Sequence, residues 1–108
     1  MMMSSTQILE LLAQRGGYIL WEKAFPRGNL KRDMFVLKEA DGTDMIVLKD
    51  GAAWQPVLPL ETFNDFCRAS FIRQDGADDQ PQLIFRLTTD GLARGWHSTN
   101  QSNGQGRC

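Results

Sequence analysis

Between Gly17 and Pro59 the chain is interrupted by two Asp-Gly pairs, Asp41-Gly42 and Asp50-Gly51, and by the run Pro26-Arg27-Gly28-Asn29. Asp-Gly between short apolar runs marks a hairpin, because the favoured tight turns need residues that tolerate positive φ. The runs it separates are short and β-rich: Tyr18–Phe25, Met34–Lys38 and Met45–Lys49. Tyr18 and Leu20 alternate with Ile19 and Trp21, the period-2 signature of a strand with two distinct faces. Trp54–Leu58 reads as extended, since Pro56 and Pro59 push their predecessors away from helical angles. Pro26–Asn29 reads as a loop. The middle of the chain therefore forms strands, and helices are confined to what flanks it.

The first helix is predicted from Ser4 to Arg15, with Ile8, Leu9, Leu11 and Leu12 on one face. Ser4 and Gln7 have the spacing of a capping box, and Gly16-Gly17 supplies the left-handed stop. A second helix is predicted from Pro59 to about Ser70, with Pro59 at its first position. Leu60, Phe63, Phe66, Cys67 and then Ser70 or Phe71 form its core-facing stripe. Phe71–Arg73 leaves as a strand, Asp75–Pro81 turns, and Leu83–Leu87 returns. Thr88 or Thr89 caps a short last helix ending near Arg94. The polar, glycine-rich stretch from His97 to Cys108 is predicted to be a disordered tail. The expectation is one α+β domain over residues 5–96, with two main helices on a small antiparallel sheet and a short C-terminal helix.

The 108 residues carry 12 Lys+Arg and 13 Asp+Glu, with 42% hydrophobic and 23% charged residues. This is the composition of a globular chain rather than a disordered one. No run approaches 18 apolar residues, and the start lacks a basic and apolar leader, so neither a membrane span nor a secretory signal is predicted. Cys67 lies in an apolar pattern and Cys108 ends the tail; a bridge between them is not expected, and a cytoplasmic setting is.

Catalytic chemistry is hard to assemble from these residues. The single histidine, His97, lies at the edge of the tail, where it would not be held against a substrate. One His and two distant Cys do not make a metal site. The carboxylate pairs Asp78-Asp79 and Asp41/Asp44 fall in turns, where Asp is common for backbone reasons. No enzyme activity and no cofactor are expected.

The run from Leu60 to Gly95 carries more. Phe71-Ile72, the returning strand Leu83–Arg86 and the turn Leu87-Thr88-Thr89-Asp90-Gly91 resemble the C-terminal half of bacterial winged-helix domains, in which a helix is followed by a β-wing and a Leu-Thr-x-x-Gly turn. The opening, with Leu9, Leu12-Ala13 and Gly16-Gly17-Tyr18-Ile19, resembles small bacterial proteins of the YjhX-like type. The resemblance implies a winged-helix-like fold and a DNA-associated regulator whose central helix reads duplex DNA. An ordinary helix-turn-helix has two helices before the recognition helix; here β-rich hairpins stand between Arg15 and Pro59.

On that central helix Thr62, Asn64 and Arg68 are residue types that contact bases or phosphates, while Glu61 and Asp65 repel phosphate. From Pro59 to Asp79 two basic residues stand against five acidic ones, a balance of −3. The positive charge lies elsewhere: Lys23, Arg27, Lys31 and Arg32 fall in one ten-residue stretch with no acid. That stretch is either a solvated loop or a contact for phosphate or an acidic partner. Trp54 and Trp96 are the candidate residues of a protein interface. Apolar residues on both faces of Tyr18–Trp21 and Met45–Leu48 would suit strands covered on both sides, and the second cover suggests a homodimer. Two functions follow: a DNA-associated regulator using the helix and the basic stretch, or a protein-interaction module that keeps the fold without DNA binding.

Overall fold

The computed structural model describes residues 3–27, 30–77 and 82–102, with 23–27, 30–32 and 97–102 by their backbone alone. The chain is α+β: helices α1 (Ser5–Arg15), α2 (Leu60–Arg68) and α3 (Thr89–Ser102), and strands β1 (Tyr18–Arg27), β2 (Leu30–Lys38), β3 (Val47–Lys49), β4 (Ala52–Trp54), β5 (Val57–Leu58), β6 (Ile72–Ala77) and β7 (Leu83–Leu87). At the start of α1 the Ser4 hydroxyl accepts from the Gln7 N–H at 3.1 Å, and the Ser4 N–H donates to Gln7 Oε1 at 2.9 Å. Gly16 ends the helix at φ 65°, donating its N–H to the Leu12 carbonyl. Both caps satisfy backbone groups that helix ends leave without intrahelical partners.

Five strands make one antiparallel sheet in the order β5-β2-β1-β7-β6. Its register builds two apolar rows, one on each face. Leu83, Trp21, Phe35 and Leu58 align across β7, β1, β2 and β5 on one face; Ile84, Leu20, Val36 and Val57 align on the other. The first face is the core face. Ile19, Phe35, Leu37, Leu58, Ile72 and Phe85 pack there with Ile8, Leu9 and Leu12 of α1 and Phe63 and Phe66 of α2. Leu20 and Val36 are buried as well, but outside this cluster. The period-2 reading of Tyr18–Trp21 is thus seen directly in the strand.

Several expectations change. The Asp41-Gly42 turn does reverse the chain: the Asp41 carboxylate accepts from the Thr43 N–H and hydroxyl, and Met45 donates its N–H to the Leu37 carbonyl. Yet the run after it does not pair along Met34–Lys38. Beyond a single bridge between Lys38 and Asp44, β3 turns away and pairs with β4 as a separate two-stranded sheet. Asp50 and Gly51, at φ 54° and 78°, form the two-residue turn between them. A local two-residue connection closes at lower entropy cost than the longer one. On α2 only Phe63 and Phe66 are buried; Leu60 and Cys67 are exposed, so the expected buried thiol is corrected. A nine-residue helix over the sheet needs only a narrow stripe.

The last helix is longer than expected. Thr88 caps it, its hydroxyl accepting from the Gly91 N–H at 3.1 Å and donating to the Ser70 carbonyl at 2.5 Å. It then runs past Arg94 and Trp96 to Ser102, because no proline interrupts it; residues 103–108 of the predicted tail lie outside the described residues. Gly91 and Gly95 explain how α3 docks. A Cβ on Gly95 would stand 2.7 Å from the Leu9 carbonyl oxygen and 2.9 Å from the Ala13 Cβ, and one on Gly91 would meet the Phe71 carbonyl. Two glycines one turn apart therefore let α3 lie directly against α1 and the end of α2's connection.

Gly95→Ala tests this contact with a definite sign. Helix propensity alone favours Ala over Gly by about 1 kcal/mol. Overpacking of a close backbone approach costs about 1–3 kcal/mol, so urea unfolding is expected to show a net loss of stability. A variant as stable as the parent, or more so, would mean that α1 and α3 do not meet here.

Candidate nucleic-acid interface

The residues expected to form a basic loop lie instead in paired strands. Phe25 is opposite Arg32, Pro26 opposite Lys31, and Arg27 opposite Leu30. The loop expectation for Pro26 and Arg27 is corrected: only Gly28 and Asn29 separate the strands, and these two lie outside the described residues. Among the described residues neither β7 nor β5 pairs with the strands so far out, so proline here forfeits no ladder hydrogen bond to them.

The pairing limits define an arm. β7 pairs with β1 only over Ile19–Trp21, and β5 pairs with β2 only at Phe35 and Val36. Among the described residues, β1 and β2 pair only with each other from Glu22 and Met34 outward. This is a two-stranded ribbon projecting from a five-stranded sheet, with a register shift between Glu22 and Phe25. At about 3.3 Å per residue it extends roughly 17 Å beyond Glu22. Lys23, Arg27, Lys31 and Arg32 all fall on it, bounded at its root by Glu22 and Asp33.

The root is fixed by aromatic packing. Trp21 and Phe35, the last core pair before the ribbon, have ring centroids 5.3 Å apart. Phe63 of α2 stacks on Phe35 at 4.2 Å and meets Trp21 edge-on at 5.7 Å, and Phe85 of β7 meets Phe63 at 4.9 Å. The central helix thus stands over the root of the basic ribbon, and the structure brings these two candidate elements together. Within α2, Thr62 is half-buried and Asn64 is exposed. Arg68 is exposed but forms an ion pair with Asp65 one turn earlier. With Glu61 also exposed, the helix offers polar side chains and no surplus of positive charge.

Three of the other cations pair with acids. Arg15 pairs with Glu39 at 3.0 Å, Lys38 with Asp44 at 2.6 Å, and Arg86 with Asp75 at 2.9 Å. Arg86 also lies 4.9 Å over the Tyr18 ring. The Asp44 hydrogen bond raises the Lys38 ammonium above its ordinary pKa, against the opposing effect of burial. The hydroxyl and N–H of Thr43 hold the Asp41 carboxyl below the usual range. Residues 23–32 are the stretch where the sequence concentrates cations without acids.

The interface candidates Trp54 and Trp96 are exposed, at 42% and 47%, on β4 and α3. Their exposed apolar companions are Ile46, Leu48, Val57 and Leu60; the sequence marks Met45–Leu48 as apolar on both faces, and places Leu60 toward the core. Short strands with apolar residues on both faces gave no signal as to which face would remain open. Among the described residues no group of three His, Cys, Asp or Glu is placed to hold a metal ion, and no helix is long and apolar enough to cross a membrane.

Asp44→Asn is expected to return Lys38 to the ordinary lysine range, read by NMR titration of its Nζ. Since the folded-state pKa is raised, the pair's contribution is complete below the ordinary lysine pKa and disappears as pH rises through the raised value. For a pair with half-exposed Asp44 the contribution is under about 1 kcal/mol. A Lys38 pKa unchanged by the substitution would contradict the assignment.

Compared with protein-family models, curated proteins and solved structures, the chain matches none of them.

Proposed function

We propose that the protein is a nucleic-acid-associated regulator that engages duplex DNA through the β1–β2 ribbon, with α2 as the buttress at its root. The observation that supports this reading is the concentration of Lys23, Arg27, Lys31 and Arg32 on a projecting two-stranded arm with no acid among them. The major groove, about 12 Å wide, admits a two-stranded β-ribbon as well as a helix. Cations on such an arm release counterions from phosphates, which supplies affinity with little dependence on sequence. Thr62 and Asn64, beside the root, are the groups suited to base or backbone hydrogen bonds; Arg68 is held by Asp65 and contributes less. The succession α2, β6, β7, α3 and the Thr88 cap favour a winged-helix-like, YjhX-like reading of the C-terminal half, with β6–β7 as wing. The acidic wing argues that contact is made by the ribbon rather than by the wing. In this reading the protein has no catalytic role and works in the cytoplasm.

Four neutralised phosphates give a slope of log K against log salt of about −3.6. Replacing Lys23, Arg27, Lys31 and Arg32 together by alanine is expected to abolish duplex retention at low salt while leaving the circular dichroism spectrum intact. Lys31→Ala alone is expected to reduce the slope by about 1. Binding that survives the fourfold replacement, or no binding by the parent at micromolar protein and low salt, would overturn the reading.

A second reading, a protein-interaction module, is favoured by a separate observation. Leu48 is 78% exposed, and Ile46, Trp54, Val57 and Leu60 are exposed around it in sequence. Isolated exposed apolar residues are ordinary, but several within fifteen residues suit a partner surface. In this case a partner captured from cell extract is lost with Leu48→Asp and Trp54→Ser and kept by the ribbon variant; the opposite pattern would exclude it.

A further inference from the structure

Among the described residues β6 is an edge of the five-stranded sheet with no further strand beside it, and it carries a charge pattern that they leave incomplete. Arg73 to Ala77 are exposed along it. In register, Arg73 stands opposite Arg86 of β7, a like-charged cross-strand pair, which is destabilising unless a counter-charge intervenes. Asp75 supplies one to Arg86 at 2.9 Å. Arg73 has no ion-pair partner among the described residues. Arg73 and Asp75, two residues apart, share one face of the strand and flank Gln74 symmetrically.

We propose that β6 pairs antiparallel with β6 of a second copy about a two-fold axis through Gln74, joining the two sheets into one of ten strands. In this register Arg73 lies opposite the partner's Asp75 and Asp75 opposite the partner's Arg73, so each molecule completes the other's charge pattern. Gln74 faces its own counterpart, and an amide can both donate to and accept from its twin. Neighbouring antiparallel registers fail on the same ground: centring on Arg73 opposes two cations, and centring on Asp75 opposes two acids. The pattern therefore selects both the occupant and the register, as an isologous interface requires. Unpaired backbone groups along the edge supply the hydrogen bonds. The register shift between Gln74 and Ala77, where Gly76 adopts φ 98°, limits the paired length to a few residues. Such a contact lies below the size of a standard stable interface, so association is expected at protein concentrations on the order of 100 µM. The surface is distinct from the ribbon, and its test stands whether or not DNA is bound.

Sedimentation of the full chain at low salt, from about 10 to 500 µM, reads the equilibrium. The parent is expected to self-associate with rising concentration. Arg73→Asp, which sets acid against acid, and Asp75→Arg, which sets cation against cation, are each expected to stay monomeric. Mixed in equal amounts these two variants are expected to form a heterodimer, since every opposed pair is then Arg with Asp. Gln74→Lys keeps the Arg86–Asp75 pair and brings two like charges together on the axis, so it gives an independent loss even if Asp75→Arg fails to fold. A parent that remains monomeric throughout would overturn the proposal. So would a dimer unaffected by Arg73→Asp and Gln74→Lys, or folded charge variants that do not associate on mixing.

Discussion

The stacking of Phe63 on Phe35, with Trp21 and Phe85 closing around them, is the contact on which the rest of the structure depends. These four rings come from α2 and from β2, β1 and β7, so one cluster fixes the helix to three adjacent strands. Offset and edge-on aromatic pairs contribute about 0.5–1.5 kcal/mol each beyond the area they bury. The cluster also sits where β1 and β2 lose their outer neighbours. Without it the ribbon would join the body only through backbone pairing, and a two-stranded hairpin alone is marginal in water.

Electrostatics divides the molecule in the same place. Below the aromatic cluster, Arg15, Lys38, Arg68 and Arg86 each have an acidic partner. Beyond it, residues 23–32 of the ribbon hold four cations and no acid, with Glu22 and Asp33 at its root. The formal net charge of −1 is therefore a cancellation between regions of opposite character. A field of this kind orients the molecule toward a polyanion even though its total charge would not. The β6 edge lies at the other side of the sheet, two strands from β1.

Local chemistry was legible in the sequence wherever it was sufficient. The Ser4–Gln7 capping box, the Gly16 stop and the Asp50-Gly51 turn each depend on a few adjacent residues, and each is found as read. So is the burial of Phe63 and Phe66. Strand pairing was not legible, because Val47 can pair with Trp54 or continue along Leu37 with the same residues, and the choice lies in tertiary packing. Pro26 suggested a loop because a strand normally rejects proline; the ribbon accepts it where, among the described residues, no third strand pairs. Nothing in the sequence marks Gly91 and Gly95 as close contacts; the structure sets Gly91 against the Phe71 carbonyl and Gly95 against Leu9 and Ala13 of α1. For the candidate site, the sequence located the cations of the ribbon and the polar residues of α2, but not that Phe63 joins the two elements.

The proposed function requires the ribbon to be the surface that meets nucleic acid. Backbone amide shifts of isotopically labelled protein, followed during titration with a short duplex at low salt, measure that contact residue by residue. The account predicts that the largest changes fall within residues 22–34 and decay through Trp21 and Phe35, with the β6–β7 edge unmoved. Changes centred on β6–β7 or on α3, with residues 22–34 unaffected, would contradict it.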